Sequence, residues 1–200
     1  MVILPLVLTV LATIAAAYLV FFVFFPLGRG AIFSPSLPEH SRRMAELAAV
    51  SYGDKAVDLG SGDGRVAIAL AARGAESHGW EINPALVLLS RWNVRRAGLA
   101  GRVRIHWGSF WRADLSSFQA VTVFQGSSIM RRLEKKALRE LPSGARVVSD
   151  YWRFPTMTPE LVSGTLYLYR ISRIRSSGPT GREDQEEQDH SERNRDARSP

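Results

Sequence analysis

A glycine-rich turn between a short apolar run and an apolar helical run carries the clearest chemical pattern in this sequence. Its residues are Asp58-Leu59-Gly60-Ser61-Gly62-Asp63-Gly64-Arg65. Glycines let the backbone take positive φ and let a ligand approach the chain closely. The N–H groups at the start of the following helix, with their partial positive charge, point at whatever lies over the turn. The turn therefore predicts a binding site for a nucleotide-like ligand.

Two classes of cofactor use such a turn, and the spacing of the glycines separates them. The dinucleotide fingerprint is G-x-G-x-x-G, and counting from Gly60 its third glycine would fall on Arg65. The pattern present is D-x-G-x-G-x-G, which resembles motif I of class I S-adenosylmethionine (SAM) methyltransferases. A strand-like run ends in Glu81, 23 residues after Asp58, where a carboxylate can accept both ribose hydroxyls. We favour a SAM-type nucleoside over a dinucleotide and over a turn without a ligand.

The composition argues against several other kinds of chemistry. The sequence of 200 residues has no cysteine, which excludes disulfides and cysteine nucleophiles, and its four histidines lack metal-binding spacing, so we expect no metal. The net charge is +7, with +10 on residues 1–175 and −3 on residues 176–200. A basic body fits an anionic membrane surface or a nucleic acid. Because no nucleic-acid module is present, we expect a membrane partner and no nucleic acid.

The N-terminal segment is apolar throughout. Residues 1–28 contain no charged side chain, which is long enough for a helix to cross about 30 Å of hydrocarbon. We therefore predict a single transmembrane anchor over residues 1–27, with a cleaved signal peptide and a buried core helix as the alternatives. The first basic residues after it are Arg29, Arg42 and Arg43. The positive-inside rule then places the catalytic domain on the cytoplasmic side.

The remainder of the chain alternates strand-like and helix-like runs, which predicts an α/β fold with a mostly parallel, Rossmann-like sheet. Residues 28–44 are predicted to be a connector and the start of a helix, residues 45–175 the methyltransferase domain, and residues 176–200 a disordered charged tail. The predicted strands cover residues 56–59, 76–81, 103–106, 120–124, 145–149 and 165–171. The predicted helices cover residues 39–50, 66–72, 83–97 and a stretch after residue 128.

Apolar spacing predicts the buried face of two of these helices. Between residues 83 and 97 the predicted apolar stripe is Leu86, Leu89 and Trp92, and the predicted solvated face is Arg91, Arg95 and Arg96. After residue 128 the predicted buried residues are Met130, Leu133, Ala137 and Leu141, and the predicted solvated charges are Arg131, Lys135, Lys136 and Arg139.

Such a sheet binds ligands at the carboxyl ends of its strands, and the candidate functional residues all follow predicted strands. The candidates for the cofactor are Asp58, Gly60, Ser61, Gly62, Gly64, Glu81, Ile82, Asn83, Ser109, Phe110 and Gln125. The candidates near the reacting groups are Trp111, Asp150 and Tyr151.

Four local patterns together resemble one subfamily. They are residues 58–65, Trp80-Glu81-Ile82-Asn83-Pro84, the stretch from Leu133-Glu134-Lys135-Lys136 through residues 140–149, and Arg153-Phe154-Pro155. With the N-terminal segment, they resemble the membrane-anchored protein-lysine methyltransferases that act in mitochondria on the ATP synthase c-ring protein and the adenine nucleotide translocase, and their prokaryotic relatives. The resemblance spans residues 28–172.

That resemblance implies SAM as the cofactor and assigns roles at the strand ends. The turn from Gly60 to Gly64 would hold the methionine end of SAM, with Asp58 ordering the turn, and Glu81 would hold the ribose. Many class I enzymes bind the adenine amino group with an acidic residue after the third strand. Here Ser109 stands at that position, and Phe110 would cover the adenine ring.

Methyl transfer from a sulfonium is an in-line displacement that depends on alignment, and a lysine substrate must also present a neutral amine. Aromatic surroundings lower the pKa of an amine, which makes Trp111 and Tyr151 candidates, and Asp150 could accept the proton. Packing roles for the aromatic residues, and a solvated position for Asp150, are the alternatives. The predicted function is membrane-anchored methylation of a protein lysine, with a membrane protein as a candidate substrate. Methylation of a lipid or lipophilic small molecule, and SAM binding without catalysis, are the competing predictions.

Overall fold

The computed structural model describes residues 3–27 and 38–172, with side chains described for residues 3–18 and 39–172. Most of the predicted connector and the whole predicted tail over residues 176–200 lie outside these ranges.

The N-terminal helix, α1 (Ile3–Leu27), is apolar, and each of its described side chains is exposed. The hydroxyls of Thr9 and Thr13 donate hydrogen bonds to carbonyl oxygens one turn earlier in the same helix. Across the described part of the chain, no helix combines the length and the apolarity that crossing a membrane requires.

One sheet of seven strands forms the centre of the body. In chain order the strands are β1 (Lys55–Leu59), β2 (Glu76–Glu81), β3 (Val103–Trp107), β4 (Ala120–Val123), β5 (Arg146–Asp150), β6 (Leu161–Ser163) and β7 (Leu166–Arg170). Their spatial order is β3-β2-β1-β4-β5-β7-β6. The first five strands are parallel, and β7 is antiparallel to both of its neighbours. The predicted mostly parallel α/β sheet is therefore confirmed.

Four further helices connect or precede the strands: α2 (Pro38–Leu47), α3 (Arg65–Ala72), α4 (Pro84–Arg96) and α5 (Ser127–Glu140). The first ends three residues before the predicted boundary at Val50, because Ala49 takes a left-handed conformation with φ of 47°. Strand β6 was not predicted, since its three residues are partly exposed and too short to show a strand period.

Helices cover both faces of the sheet. On one face α5 buries Met130, Leu133 and Ala137 against apolar residues of β1, β4 and β5, as the spacing predicts. On the other face Met44 of α2 and Leu70 of α3 pack against the same strands.

Helix α2 runs antiparallel to β5. Near its start, His40 contacts Asp150 at the carboxyl end of β5. Just beyond its end, the carbonyl oxygen of Ala49 accepts a hydrogen bond from Arg146 at the beginning of β5. The chain arriving from the N-terminus therefore enters the body at the carboxyl edge of the sheet, where the candidate site residues lie.

The predicted apolar stripe of α4 is wrong in two of its three members. Leu86 is buried, but Leu89 is 42% exposed and Trp92 is 53% exposed. The face that packs against α3 and β3 carries Val87, Ser90 and Val94 instead. A buried serine broke the apolar pattern and shifted the prediction toward the wrong side of the helix.

The prediction of a solvated Lys136 is also wrong. Its ammonium group is buried and donates hydrogen bonds to the carbonyl oxygen of Ala113 and to Glu140, both at 2.6 Å. Lys136 therefore fastens α5 to the loop that precedes β4.

Candidate functional site

The glycine turn after β1 takes a backbone path that side chains would oppose. Gly60, Gly62 and Gly64 have φ values of 87°, 54° and 85°, which L-residues with a Cβ rarely adopt. A Cβ on Gly60 would lie 2.0 Å from Nε2 of Gln125, whose amide donates to the carbonyl oxygen of Leu59 at 3.2 Å. Gly60 is therefore fixed both by backbone conformation and by the close approach of Gln125.

The turn is held on β2 by main-chain hydrogen bonds. The N–H groups of Gly60 and Ser61 both donate to the carbonyl oxygen of Trp80 at 2.9 Å. A Cβ on Gly79 would lie 2.7 Å from Oγ of Ser61, so this second glycine makes room for the turn. Sequence reasoning missed Gly79, although a glycine inside a strand indicates close approach of another backbone.

Glu81 connects the glycine turn to the start of α4. Its two carboxylate oxygens accept hydrogen bonds from the N–H groups of Gly62 at 2.9 Å and Asn83 at 2.7 Å. The side chain of Asn83 in turn caps α4 by accepting from the N–H of Ala85. Each carboxylate oxygen keeps a further lone pair, so the buried Glu81 can still accept hydroxyl groups of a ribose.

Asp58 is buried beside Thr122, a residue that the sequence did not single out. The two residues are paired in the register of β1 and β4, and Thr122 Oγ1 donates to Asp58 Oδ1 at 2.8 Å. Burial raises the pKa of Asp58 to about 7, although the Thr122 hydrogen bond acts in the opposite direction. Repulsion from Glu81 and Asp63 adds to the increase.

Three buried polar atoms around the turn have no hydrogen-bond partner among the described residues. They are Ser61 Oγ, Asn83 Nδ2 and Ser90 Oγ. Buried polar groups in proteins are nearly always paired, so these groups fit a polar ligand held between the turn and α4. Together with the glycines and Glu81, they fit the cofactor SAM that the sequence pattern indicates.

Ser109 and Phe110 begin a 3-10 helix, Phe110–Arg112, after β3. Both residues are half-buried. The ring of Trp111 lies 4.8 Å from that of Phe110 and 4.1 Å from the guanidinium of Arg132 on α5. Trp111 thus packs between the 3-10 helix and α5.

Asp150 ends β5 as a buried carboxylate with both oxygens engaged. Thr165 Oγ1 donates to Oδ1 at 2.8 Å, and His40 Nε2 lies 2.8 Å from Oδ2. The sequence offered Asp150 as a candidate but gave no sign of its partners, since His40 is 110 residues away along the chain.

Tyr151 follows in a strained turn. Its φ is 67°, and the N–H of Trp152 donates to the carbonyl oxygen of Asp150 at 2.8 Å, which closes a three-residue turn. Such conformations are costly for a residue with a Cβ and are found mainly at functional sites. The side chains of Tyr151 and Trp152 are exposed and contact each other at the carboxyl edge of the sheet.

The two later sequence patterns meet in the loop that follows β5. Glu134 is buried and accepts hydrogen bonds from the N–H groups of Thr156 and Met157. The N–H of Phe154 donates to the hydroxyl of Tyr169 on β7 at 2.9 Å. These contacts fix the loop that leaves Tyr151 and Trp152 exposed.

The predicted site residues thus form two groups. The cofactor candidates from β1, β2 and Gln125 meet around the glycine turn, whereas Asp150 and Tyr151 share the end of β5 and Trp111 packs against α5. Within the described ranges, no cluster of histidine, aspartate and glutamate side chains could hold a metal ion.

Comparisons with known proteins agree with this site. A family model described as the ANTKMT methyltransferase domain matches residues 58–161. The lysine N-methyltransferase of the ATP synthase c-ring protein from Mus musculus is 39% identical over 134 residues, covering 65% of this chain and 53% of the mouse protein. The chain therefore spans about half the length of that curated relative. A protein-lysine N-methyltransferase of Saccharolobus islandicus is 35% identical over 140 residues, covering 65% of this chain and 87% of the archaeal protein.

Among solved structures, an RNA methyltransferase from Salinibacter ruber in complex with S-adenosyl-L-homocysteine superimposes with a TM-score of 0.68. It is 34% identical, and the match covers 72% of this chain and 98% of that one. The bound S-adenosyl-L-homocysteine agrees with SAM as the cofactor. The chain belongs to the ANTKMT methyltransferase family, a family of class I SAM-dependent protein-lysine N-methyltransferases.

Proposed function

We propose that this protein transfers methyl groups from SAM to the side-chain amine of a protein lysine while attached to a membrane. The observation that carries the lysine assignment is its similarity to protein-lysine N-methyltransferases of Mus musculus and Saccharolobus islandicus. The mouse relative is named for a lysine of an ATP synthase component, and we propose a membrane protein as the substrate here.

SAM supplies an electrophilic methyl group on a sulfonium. Glu81 would accept the ribose hydroxyls with the lone pairs that Gly62 and Asn83 leave free. The turn from Gly60 to Gly64 would lie against the methionine end, and Asp58 would order that turn from below. The unpartnered groups Ser61 Oγ and Asn83 Nδ2 would gain hydrogen bonds from the cofactor.

At the end of β5 the chain would prepare the lysine. The exposed rings of Tyr151 and Trp152 would surround its aliphatic stem and desolvate its amine, which lowers the amine pKa and favours the nucleophilic form. Asp150 would accept the proton through lone pairs that His40 and Thr165 leave free. Trp111, packed on α5, would support the cofactor side of the site through Phe110.

Membrane attachment through α1 is the second part of the proposal. Residues 1–28 carry no charge, and all described side chains of α1 are exposed, so this helix needs an apolar cover. The hydrogen bonds of Thr9 and Thr13 within the helix satisfy hydroxyls that a bilayer could not. Arg29, Arg42 and Arg43 follow, which favours a single-pass anchor with the catalytic domain facing the cytoplasm.

RNA is the second candidate substrate, because the Salinibacter ruber structure is named an RNA methyltransferase and is 34% identical. Lipids are the third, since an attached enzyme can reach them. Purified full-length protein, tritiated SAM and membranes from cells that lack the gene separate the three. We expect label in the protein fraction, sensitive to protease. Label that is removed by ribonuclease, or that is extracted with lipid, would overturn the lysine assignment.

The same membranes test the attachment. We expect the protein to resist extraction at high pH, as membrane-inserted proteins do. Release of the protein by high salt alone would contradict an anchor at α1 and would leave the lysine assignment unaffected.

A further inference from the structure

Exposed apolar and basic side chains share one surface beside the cofactor site. Leu88 is 68% exposed and lies one turn from Trp92 on the outer side of α4. Arg91, Arg95 and Arg96 are exposed on the same side of this helix, at spacings of three and four residues that place side chains on one face. The face that the sequence assigned to the core is therefore directed to the outside.

Trp107 extends this surface to the edge of the sheet. It ends β3, the outermost parallel strand, and is 67% exposed. Its indole N–H donates to the carbonyl oxygen of Ile82, immediately before α4, at 3.2 Å. Arg91 donates to the carbonyl oxygen of Ile105 on β3 at 2.9 Å. We call the continuous surface formed by Leu88, Arg91, Trp92, Arg95, Arg96 and Trp107 the α4 surface.

The charge on this surface is of one sign. Residues 82–113 contain six arginines and no acidic residue. Within the described body, Arg91, Arg95 and Arg96 form no ion pair with a carboxylate, and the guanidinium of Arg96 lies 5.3 Å from the Trp92 ring. The α4 surface is therefore cationic as well as apolar.

Helix α5, on the opposite face of the sheet, provides an internal comparison. Its outer side is also basic, with Arg131, Lys135 and Arg139 exposed. Its largest exposed apolar residue is Leu138, at 39%, and no exposed tryptophan accompanies it. A need for solubility or general attraction to anions explains α5, but it does not explain exposed leucine and tryptophan on α4.

We propose that the α4 surface docks on an anionic lipid bilayer, with Leu88, Trp92 and Trp107 entering the headgroup region and the three arginines meeting lipid phosphates. Tryptophan prefers this interfacial depth, and basic helices with apolar side chains bind there. RNA would use the arginines and stack on the rings, but an exposed leucine gains nothing from it. The inference rests on the membrane attachment proposed above, and it orients the body against the membrane.

The sequence permits a direct test on the full-length chain. Because there is no cysteine, Leu88→Cys and Leu138→Cys each provide a single site for an environment-sensitive fluorophore. Each labelled protein is reconstituted in phosphatidylcholine vesicles with and without phosphatidylglycerol, and flotation establishes that it is attached. We expect a blue shift at position 88 that requires phosphatidylglycerol, and no shift at position 138.

Intrinsic fluorescence provides a second readout without labels. All five tryptophans lie between residues 80 and 152, so none is in α1. Brominated acyl chains quench only rings that enter the bilayer, and we expect quenching that Trp107→Phe combined with Trp92→Phe abolishes. Retained quenching in that double variant would place another part of the body on the membrane and overturn the proposal.

Charge reversal distinguishes the α4 surface from general basicity. We expect Arg95→Glu with Arg96→Glu to abolish the shift at position 88, and Arg131→Glu with Lys135→Glu to preserve it. Equal loss in both double variants would contradict a specific surface. Displacement of the protein body from vesicles by RNA, with gel-shift binding that only the first double variant loses, would assign the surface to nucleic acid. If the wild-type protein fails to float, the attachment proposal fails; if it floats and position 88 stays unshifted, only the docking proposal fails.

Discussion

His40 Nε2 lies 2.8 Å from Oδ2 of Asp150, and this contact joins the first turn of α2 to the carboxyl end of β5. Asp150 is buried, and its other oxygen accepts a hydrogen bond from Thr165. The segment that arrives from α1 is therefore fastened next to Tyr151 and Trp152. Any movement of α2 would be transmitted directly to the place where we propose that the lysine is held.

Loss of the His40 contact is expected to weaken the fold and the enzyme together. His40→Ala leaves a buried carboxylate oxygen without its partner, which costs roughly 1–3 kcal/mol. Arg43→Ala, on the same helix, removes only an exposed hydrogen bond to Ser163 and should cost less than about 1 kcal/mol. Urea unfolding of both variants measures the difference. Equal stabilities would show that the His40 contact contributes nothing specific.

Gly60→Ala is expected to abolish SAM binding. The added Cβ would lie 2.0 Å from Nε2 of Gln125 at a φ of 87°. Gly98 also has positive φ, at 71°, but has open space around it, so Gly98→Ala should cost only the conformational strain of roughly 1–2 kcal/mol. Calorimetric titration with SAM compares the two variants. Normal SAM affinity in Gly60→Ala would contradict the position of the cofactor.

The double variant Gly60→Ala with Gln125→Ala separates the clash from the backbone strain. Removing the Gln125 amide should restore part of the lost stability, because the Cβ then has room. The strain at φ of 87° remains. A double variant no more stable than Gly60→Ala would mean that strain alone accounts for the loss.

Asp58 makes the stability of the cofactor-free protein depend on pH. Its pKa in the folded protein, about 7, lies above the ordinary value of 3.8, so the native state binds more protons between these values. The free energy of unfolding therefore falls as pH rises through this window and stays low above it. Asp58→Asn keeps an acceptor for Thr122 and cannot ionise. Above about pH 7 it should be more stable than the wild type by roughly 2–4 kcal/mol, while binding SAM poorly.

Denaturant unfolding at several pH values tests this sign. A variant with the same pH dependence as the wild type would mean that another group causes the fall in stability.

Glu81→Gln is expected to weaken SAM binding more than it weakens the fold. The amide would keep one acceptor for the N–H groups of Gly62 and Asn83 and would place a donor toward the other. Loss of a charged acceptor costs roughly 1.5–3 kcal/mol, which corresponds to a roughly ten- to hundredfold weaker affinity. Glu76→Gln is the control, since Glu76 lies on the same strand and pairs with the exposed Arg104. Equal affinities in the two variants would exclude Glu81 from the ribose site.

The sequence predicted the cofactor side of the site well because its signals are local. The turn from Gly60 to Gly64 and the carboxylate of Glu81 follow strands whose carboxyl ends must meet in a parallel sheet. Glycine spacing and strand ends are visible without knowing which strands are neighbours. The same reasoning recovered the buried residues of α5.

The remaining parts of the site depend on register and on distant contacts. Thr122 meets Asp58 only because β1 and β4 pair in one register, and His40 reaches Asp150 only because α2 runs antiparallel to β5. The exposed side of α4 was also not predictable from spacing, since Ser90 occupies a buried position and Trp92 an exposed one. Polar residues inside and aromatic residues outside reverse the pattern that periodicity detects.

Identification of the methylated atom tests the central claim most directly. Membranes from cells that lack the gene are incubated with full-length protein and SAM that carries a heavy methyl group, and their proteins are analysed by tandem mass spectrometry. We predict heavy methyl groups on the side-chain nitrogen of lysine in a membrane protein, absent when Asp58→Asn protein replaces the wild type. Heavy methyl groups in RNA or lipid, with none on lysine, would contradict the account.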